Sequence, residues 1–141
     1  MTTNRVCKLV KRPSPGLVTR DVFEFSNEPM PEPGPNQFRI KIAYISLDPA
    51  MRGWMNEGKS YVAPVPLGSV MRAYAAGHVD ASNHPDFKVG DAVQGVIGVQ
   101  QYALSDGKGI VITCPSDKFF ANLCRALEVE WAGDPRFTTN R

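Results

Sequence analysis

The chain has 141 residues, of which 43% are apolar and 21% charged, and its formal net charge is +2. This length allows one domain with a sizeable core, and the composition is that of a globular protein and not of a disordered one. A net charge so close to zero gives no electrostatic reason to expect binding to nucleic acid or to an anionic membrane.

The sequence predicts a cytoplasmic protein. No apolar run approaches the roughly 18 residues that a membrane-spanning helix needs, and the N-terminus lacks the apolar stretch of a signal peptide. The three cysteines, Cys7, Cys114 and Cys124, are odd in number and widely spaced. Such a pattern favours reduced thiols over a disulfide framework.

The first third of the chain predicts short strands separated by turns. Four prolines and a glycine in residues 29–35 predict a rigid surface connection. After it, apolar residues alternate with Arg39 and Lys41, which places these two side chains on the solvent face of a strand. The predicted strands lie at residues 6–10, 22–25 and 38–42.

The segment that follows the third strand, residues 44–55, has the character of a pocket rim. Alternation stops at Asp48 and Pro49, because proline cannot donate to a sheet and restricts the residue before it. The next residues are too few, and too interrupted by Gly53, for a long helix. They bring Arg52 and several large apolar groups to the end of a strand.

The remaining pattern predicts a partly open β-barrel that ends in a strand and a helix. A loop at residues 55–66 precedes strands at 72–79, which Gly77 weakens, at 92–97 and at 102–104. Many short strands between turn residues are typical of a barrel. Residues 110–113 predict one more strand, and Ser116 would cap a helix. Its apolar stripe is Phe120, Leu123, Cys124 and Leu127.

We predict no cofactor site and no metal site within the chain. Binding of a dinucleotide needs a strand, a glycine turn and a helix N-terminus, and the glycines at positions 90, 95, 98, 107 and 109 do not form that pattern. A catalytic zinc needs about three protein ligands. His78 and His84 show no ligand spacing with the cysteines, and we expect both in loops or turns.

The motif YISLDPAMRGWM at residues 44–55, with Pro66, Leu67 and Gly68 and with residues 87–93, resembles the zinc-free medium-chain reductases of the prostaglandin reductase group. The resemblance covers residues 4–108 and implies the GroES-like half of such an enzyme, whose NADPH binds mainly to a second half. Zinc-dependent relatives place histidine and glutamate where this chain has Ser69 and Val70. The implied fold is mainly β, a GroES-like partly open β-barrel.

The same resemblance implies a substrate cleft beside residues 48–55 and near Tyr61, with no catalytic residue assigned. Tyr61 would donate a hydrogen bond to an enone carbonyl; the alternative is a partly buried tyrosine with its hydroxyl in water. Arg52 would meet an anion of substrate or cofactor, or else pair with Asp48 or another acidic residue of the barrel. Met51 is a candidate substrate contact or a filler of the core or rim. Many relatives have tyrosine where this chain has Ala50.

Residues 106–141 resemble a piece of a different family, the class III CoA-transferases, through IVITCPSDKFFANLCRAL and GDPRFTTN. The two resemblances meet at Asp106, Gly107 and Lys108. We therefore predict a chimera with a GroES-like domain at residues 1–108 and a CoA-transferase-like tail at 109–141 that packs on the barrel. No site residue is carried over from the second family.

Three functions remain open at this point. The chain is a non-catalytic interaction or binding module, or part of an NADPH-dependent enone reductase that acts with a separate cofactor domain, or an acyl-CoA binder. A missing cofactor domain would expose apolar rim groups such as Met51, Trp54 and Met55 and at least one strand edge. Such surfaces are covered by pairing, so we predict a two-fold homodimer.

Overall fold

The computed structural model of the chain describes residues 3–58, 62–108 and 124–125. The chain divides into two compact units, Met1–Val111 and Ile112–Arg141. Of the second unit, only Cys124 and Arg125 are described, and both are helical. The predicted strand at 110–113 and the remainder of the predicted tail helix lie outside the described residues, so the packing of the tail on the barrel stays a prediction.

The first unit is mainly β, as predicted. One 3-10 turn, Arg20–Val22, precedes the second strand, and the one α-helix of residues 3–58 and 62–108, α1, has only five residues, Ala50–Trp54. The strands are β1 Thr3–Leu9, β2 Phe23–Pro29, β3 Phe38–Ile45, β4 Tyr74–Ser82, β5 Ala92–Val96 and β6 Tyr102–Ser105.

The strands form two antiparallel sheets. β1 pairs with β2 in the smaller sheet, with Val6 opposite Ser26. The larger sheet has the order β5-β4-β3-β6, and Ile40 in its centre faces Val79 on one side and Ala103 on the other. Alternation along β3 is as predicted, since Phe38 and Ile40 are buried while Arg39 and Lys41 face the opposite side.

Backbone contacts of β1 join the two sheets. The amide of Cys7 donates to the carbonyl of Val99 at 2.9 Å, and the amide of Met71 donates to the carbonyl of Cys7 at 2.8 Å. The amide of Gln101 donates to the carbonyl of Arg5 at 3.0 Å. These bonds hold β1 against the segments that precede β4 and β6, which joins the two sheets in the partly open barrel.

Two apolar clusters fill the described part of the barrel. The smaller one contains Phe38, Ile40, Val79 and Val93, with the ring of Phe87 stacked on Phe38 at 4.1 Å between centroids. The larger one contains Leu9, Val22, Met51, Trp54, Met55, Val65, Met71 and Ala73.

The expected exposure of Met51, Trp54 and Met55 is wrong. These side chains are only 8%, 4% and 5% exposed. They stand at positions i, i+3 and i+4 of the segment that begins with α1, so one helical face carries all three. That face lies on the cluster that contains Leu9 and Met71. The residues that the prediction assigned to the rim therefore belong to the core.

No helix of residues 3–58, 62–108 and 124–125 has the length and apolar character that crossing a membrane requires.

Candidate functional site

The end of β3 and the turn from it into α1 each present a large apolar side chain to solvent. Tyr44 is 77% exposed and Leu47 is 84% exposed. Tyr44 pairs with Ala76 of β4, and Tyr74 pairs with Val96 of β5, so these residues share the outer face of the sheet. We call the exposed set Tyr44, Leu47, Tyr74 and Val96 the outer apolar patch.

Asp48 ends the turn and carries an unsatisfied acceptor. Its backbone carbonyl accepts a hydrogen bond from the amide of Met51 at 3.0 Å, which starts the helical turn. One carboxylate oxygen, Oδ2, is buried and accepts no hydrogen bond from the part of the chain that the structure describes. A buried acceptor of this kind is uncommon, since most buried polar atoms have a donor.

Met51 lies beneath this turn and not on the rim. It is a member of the larger apolar cluster, together with Trp54 and Val65. The filler alternative describes this environment, and a contact between Met51 and a substrate stays a prediction.

Arg52 binds neutral oxygens. Its Nη1 donates to Oδ1 of Asn56 at 2.7 Å, and its Nη2 donates to the backbone carbonyl of Ser14 at 3.0 Å. The predicted structural pairing with Asp48 is therefore not found in the described residues. The reason is geometric: Arg52 faces the turn after β1, and its contact with Asn56 lies one helical turn further along the chain. Binding of an anion by Arg52 stays a prediction.

Tyr61 lies outside the described residues, so its role as a hydrogen-bond donor stays a prediction. The described residues on both sides of it are held by arginines that sequence reasoning did not single out. Arg12 donates to the carbonyls of Met55 and Val65, and Arg72 donates to the carbonyl of Ala63 at 2.8 Å. The sequence signal is weak, because these contacts join residues far apart in the chain.

The two histidines have different environments. His84 follows β4, and its ring packs against Phe87 and Phe38 with centroids 4.9 Å and 6.0 Å away. Its Nδ1 accepts a hydrogen bond from the amide of Asp86 at 3.1 Å. His78, which we expected in a loop or turn, lies within β4, where it pairs with Lys41 and is exposed. Among the described residues, no group of histidine, cysteine and carboxylate side chains could hold a metal ion.

Comparison with known proteins gives the family of the chain. Residues 5–113 match the family described as the N-terminal domain of oxidoreductase. The NADPH-dependent curcumin reductase of Escherichia coli strain K12 is 39% identical over 108 residues, 77% of this chain. An NADP(+)-dependent 2-alkenal reductase of Nicotiana tabacum is 39% identical over 73 residues, which are 50% of this chain and 21% of that protein.

The fold agrees with a solved relative. The crystal structure of CurA from Vibrio vulnificus superposes with a TM-score of 0.73 at 40% identity, over 85% of this chain and 36% of that one. The chain spans 31% of the length of the Escherichia coli reductase. None of these matches is to a CoA-transferase, so the fusion at residues 106–108 stays a prediction.

Residues 5–113 include β2 to β6, β1 from Arg5 onward, and the turn that carries Asp48. The chain therefore belongs to the family of oxidoreductase N-terminal domains, with the GroES-like fold of the medium-chain NADP-dependent reductases that curcumin reductase represents.

Proposed function

We propose that these 141 residues form a binding module that has no catalytic activity by itself. The observation that carries the proposal is the exposure of two large apolar side chains close to Asp48, Tyr44 at 77% and Leu47 at 84%. Exposed apolar surface of this kind marks sites of contact with another protein. A partner that covers these side chains would remove them from water.

The occupant that we propose is a cofactor-binding domain outside these 141 residues. The relatives are about three times as long as the matched region, and the names of two of them state a dependence on NADPH or NADP(+). Tyrosine is enriched in protein interfaces, where a large ring is combined with a polar tip. The outer apolar patch contains two tyrosines, Tyr44 and Tyr74.

The residues described here do not fit a self-contained NADPH site. Pyrophosphate is held by the free amides of a helix that follows a glycine turn. Within residues 3–58 and 62–108, the helical segments are a three-residue 3-10 turn and the five-residue α1. The residue before α1 is Pro49, which has no amide hydrogen to donate. We therefore propose that the cofactor binds to the domain outside these 141 residues. No hydride step is assigned to this chain alone.

The second candidate function is a share in an enone reductase assembled with that domain. It is supported by the names of the relatives, a curcumin reductase and a 2-alkenal reductase. Hydride addition to an enone leaves negative charge on the carbonyl oxygen, which a positioned donor stabilises. Tyr61 is the donor that we propose, with Met51 and Arg52 as neighbours of the substrate.

A binding measurement tests the module. The full chain is titrated with the cofactor-binding part of the Escherichia coli curcumin reductase, and association is followed by calorimetry. We expect saturable binding that Leu47→Glu weakens by at least about tenfold, because it places a charge in an apolar contact. Val89→Glu is the matched control, since Val89 is also exposed but follows β4 and lies outside the patch. Equal binding by wild type and Leu47→Glu would contradict the proposed surface.

We also propose that two copies of the chain pair when no cofactor domain is present. The buried Met51, Trp54 and Met55 no longer support this idea. The outer apolar patch supports it in their place, together with the edge strands β2 and β5, each of which pairs on one side in the described sheets. Exposed edges and apolar patches favour association.

A further inference from the structure

One arginine joins the two ends of the connection between α1 and the strand region that follows. Nη1 of Arg12 donates to the carbonyl oxygen of Met55 at 2.9 Å and to that of Val65 at 2.7 Å. Its Nε donates to Oε1 of Glu57 at 3.1 Å. Arg12 lies after β1, so these contacts span 43, 53 and 45 residues of sequence.

The two carbonyls belong to a well-packed part of the molecule. Met55 and Val65 are buried members of the larger apolar cluster. The amide of Val65 also donates to the carbonyl of Trp54 at 2.8 Å. The two ends of the 55–65 connection are therefore joined by one backbone hydrogen bond, between Val65 and Trp54. The guanidinium of Arg12 binds the carbonyl oxygens of Met55 and Val65 at these ends.

A second contact runs in the opposite direction between the same two parts of the chain. Arg52 of α1 donates through Nη2 to the carbonyl of Ser14 at 3.0 Å. Arg12 and Ser14 are two residues apart, so the turn after β1 both donates to the α1 region and accepts from it. Because the contacts are reciprocal, a shift of this turn would move α1 and residues 55–57 together.

We infer that Arg12 is a positioning residue that fixes α1 and both ends of the 55–65 connection against the turn after β1. The link to catalysis rests on the proposed function, which puts the substrate beside α1. The positioning role itself is independent of that function. A guanidinium suits this task because its donors diverge in one rigid plane. The planar group reaches two carbonyls and a carboxylate at once, whereas the ammonium of lysine is a single point on a flexible stem.

Hydrogen exchange of the full chain tests the positioning. Arg12→Ala should raise amide exchange by about tenfold or more in peptides that cover residues 50–58 and 62–66, because two buried carbonyls lose their charged donor. Peptides from β3 and β4 should keep their wild-type exchange. Arg20→Ala is the matched control, since Arg20 is exposed. Its backbone carbonyl accepts from the amide of Phe23, a contact that alanine would also make.

The conservative variant separates positioning from general stabilisation. Arg12→Lys keeps the positive charge but loses the planar set of donors. Its amide exchange at residues 50–58 and 62–66 should lie between that of wild type and that of Arg12→Ala. If Arg12 acted through its charge alone, Arg12→Lys would exchange like wild type. If Arg12→Ala does not fold, Arg12→Lys alone decides, with a local increase still expected. Unchanged exchange at residues 50–58, or an equal increase in β3 and β4, would overturn the inference.

A failure of the proposed function would be seen in a different measurement. If the wild-type chain does not bind the cofactor domain, the proposed function is wrong, but the local increase of exchange in Arg12→Ala is still expected. Conversely, wild-type exchange in Arg12→Ala would refute the positioning even if the domain still bound.

Discussion

The side-chain amide of Asn4 binds both backbone groups of Tyr102. The amide N–H of Tyr102 donates to Oδ1 of Asn4 at 2.9 Å, and Nδ2 of Asn4 donates to the carbonyl oxygen of Tyr102 at 2.8 Å. Asn4 is the second residue of β1 and Tyr102 the first of β6, and the two strands belong to different sheets. Asn4 is only 4% exposed, so its amide takes the place of a neighbouring strand at the start of β6.

Removal of that amide should destabilise the barrel. We expect Asn4→Ala to lower the free energy of unfolding by about 2–3 kcal/mol, because Tyr102 is left with a sheltered donor and acceptor that have no partner. Denaturant unfolding of the full chain measures the change. Asn27→Ala is the matched control, since Asn27 is exposed on β2. Equal stability of Asn4→Ala and Asn27→Ala would show that the amide does not join the sheets.

Gly77 should be the least replaceable glycine of the barrel. A Cβ at this position would lie 2.2 Å from the carbonyl oxygen of Lys41 and 2.9 Å from Cα of Ile42. Both atoms are backbone, so relief of the clash requires β3 and β4 to move apart beside the irregular register at Ile42 and Tyr44. We expect Gly77→Ala to cost at least about 3 kcal/mol of stability, the upper part of the range for overpacking.

Gly53 is the control for this substitution. A Cβ there would meet nothing within 4 Å, and the residue lies in α1. Gly53→Ala should leave the melting temperature unchanged or raise it, because alanine has the better helix propensity by up to about 1 kcal/mol. A Gly77→Ala chain that melts at the wild-type temperature would refute the close approach of the two strands.

The sequence predicted local structure better than long-range contacts. Alternation around Arg39 and Lys41 placed β3, because the faces of a strand follow from period two alone. The same reasoning treated Gly77 as a weakness of β4, since the carbonyl of Lys41 that fills the space of its Cβ belongs to another strand. The burial of Met51 had the same cause: the pattern gave several large apolar groups after a strand but not what they pack against.

The candidate site was predicted only in part, for a related reason. The end of β3 ahead of Asp48 and Pro49 followed from the stop in strand alternation, whereas the pocket rim stays a prediction. The unsatisfied oxygen of Asp48 and the contacts of Arg12 depend on which atoms meet after folding. No local pattern carries that information.

Cys7 should make stability fall at alkaline pH. Burial raises the pKa of its thiol above the ordinary value, because desolvation disfavours the thiolate. The native state then holds its proton at a pH where the unfolded chain releases it. The stabilising contribution is complete below the ordinary pKa, about 8.5, and is lost as the pH rises through the raised value.

Unfolding at a series of pH values measures this contribution. We expect the free energy of unfolding of wild type to decline above pH about 8.5 more steeply than that of Cys7→Ala, which has no thiol to titrate. The slopes are compared and not the absolute stabilities, since Cys7→Ala also removes buried volume. Parallel slopes would show that the thiol titrates alike in both states.

The full chain should form a two-fold dimer in solution. The outer apolar patch offers Tyr44 and Leu47 for contact, and closed two-fold symmetry is the commonest way to cover such a surface. Light scattering over a range of micromolar concentrations should give twice the chain mass of 15.5 kDa, and Leu47→Glu should reduce it to the monomer. A single species at 15.5 kDa throughout would contradict the dimer.

The central claim is that the chain binds a cofactor domain and is inactive without it, and NADPH oxidation in the presence of a 2-alkenal tests it most directly. We expect no turnover above a heat-inactivated control for the purified chain alone. Turnover should appear when the cofactor-binding part of the Escherichia coli curcumin reductase is added, and Leu47→Glu should reduce it. The N-terminal part of the bacterial enzyme, mixed with the same fragment, is the positive control. Turnover by the chain alone, or none in the mixture while the positive control is active, would contradict the account.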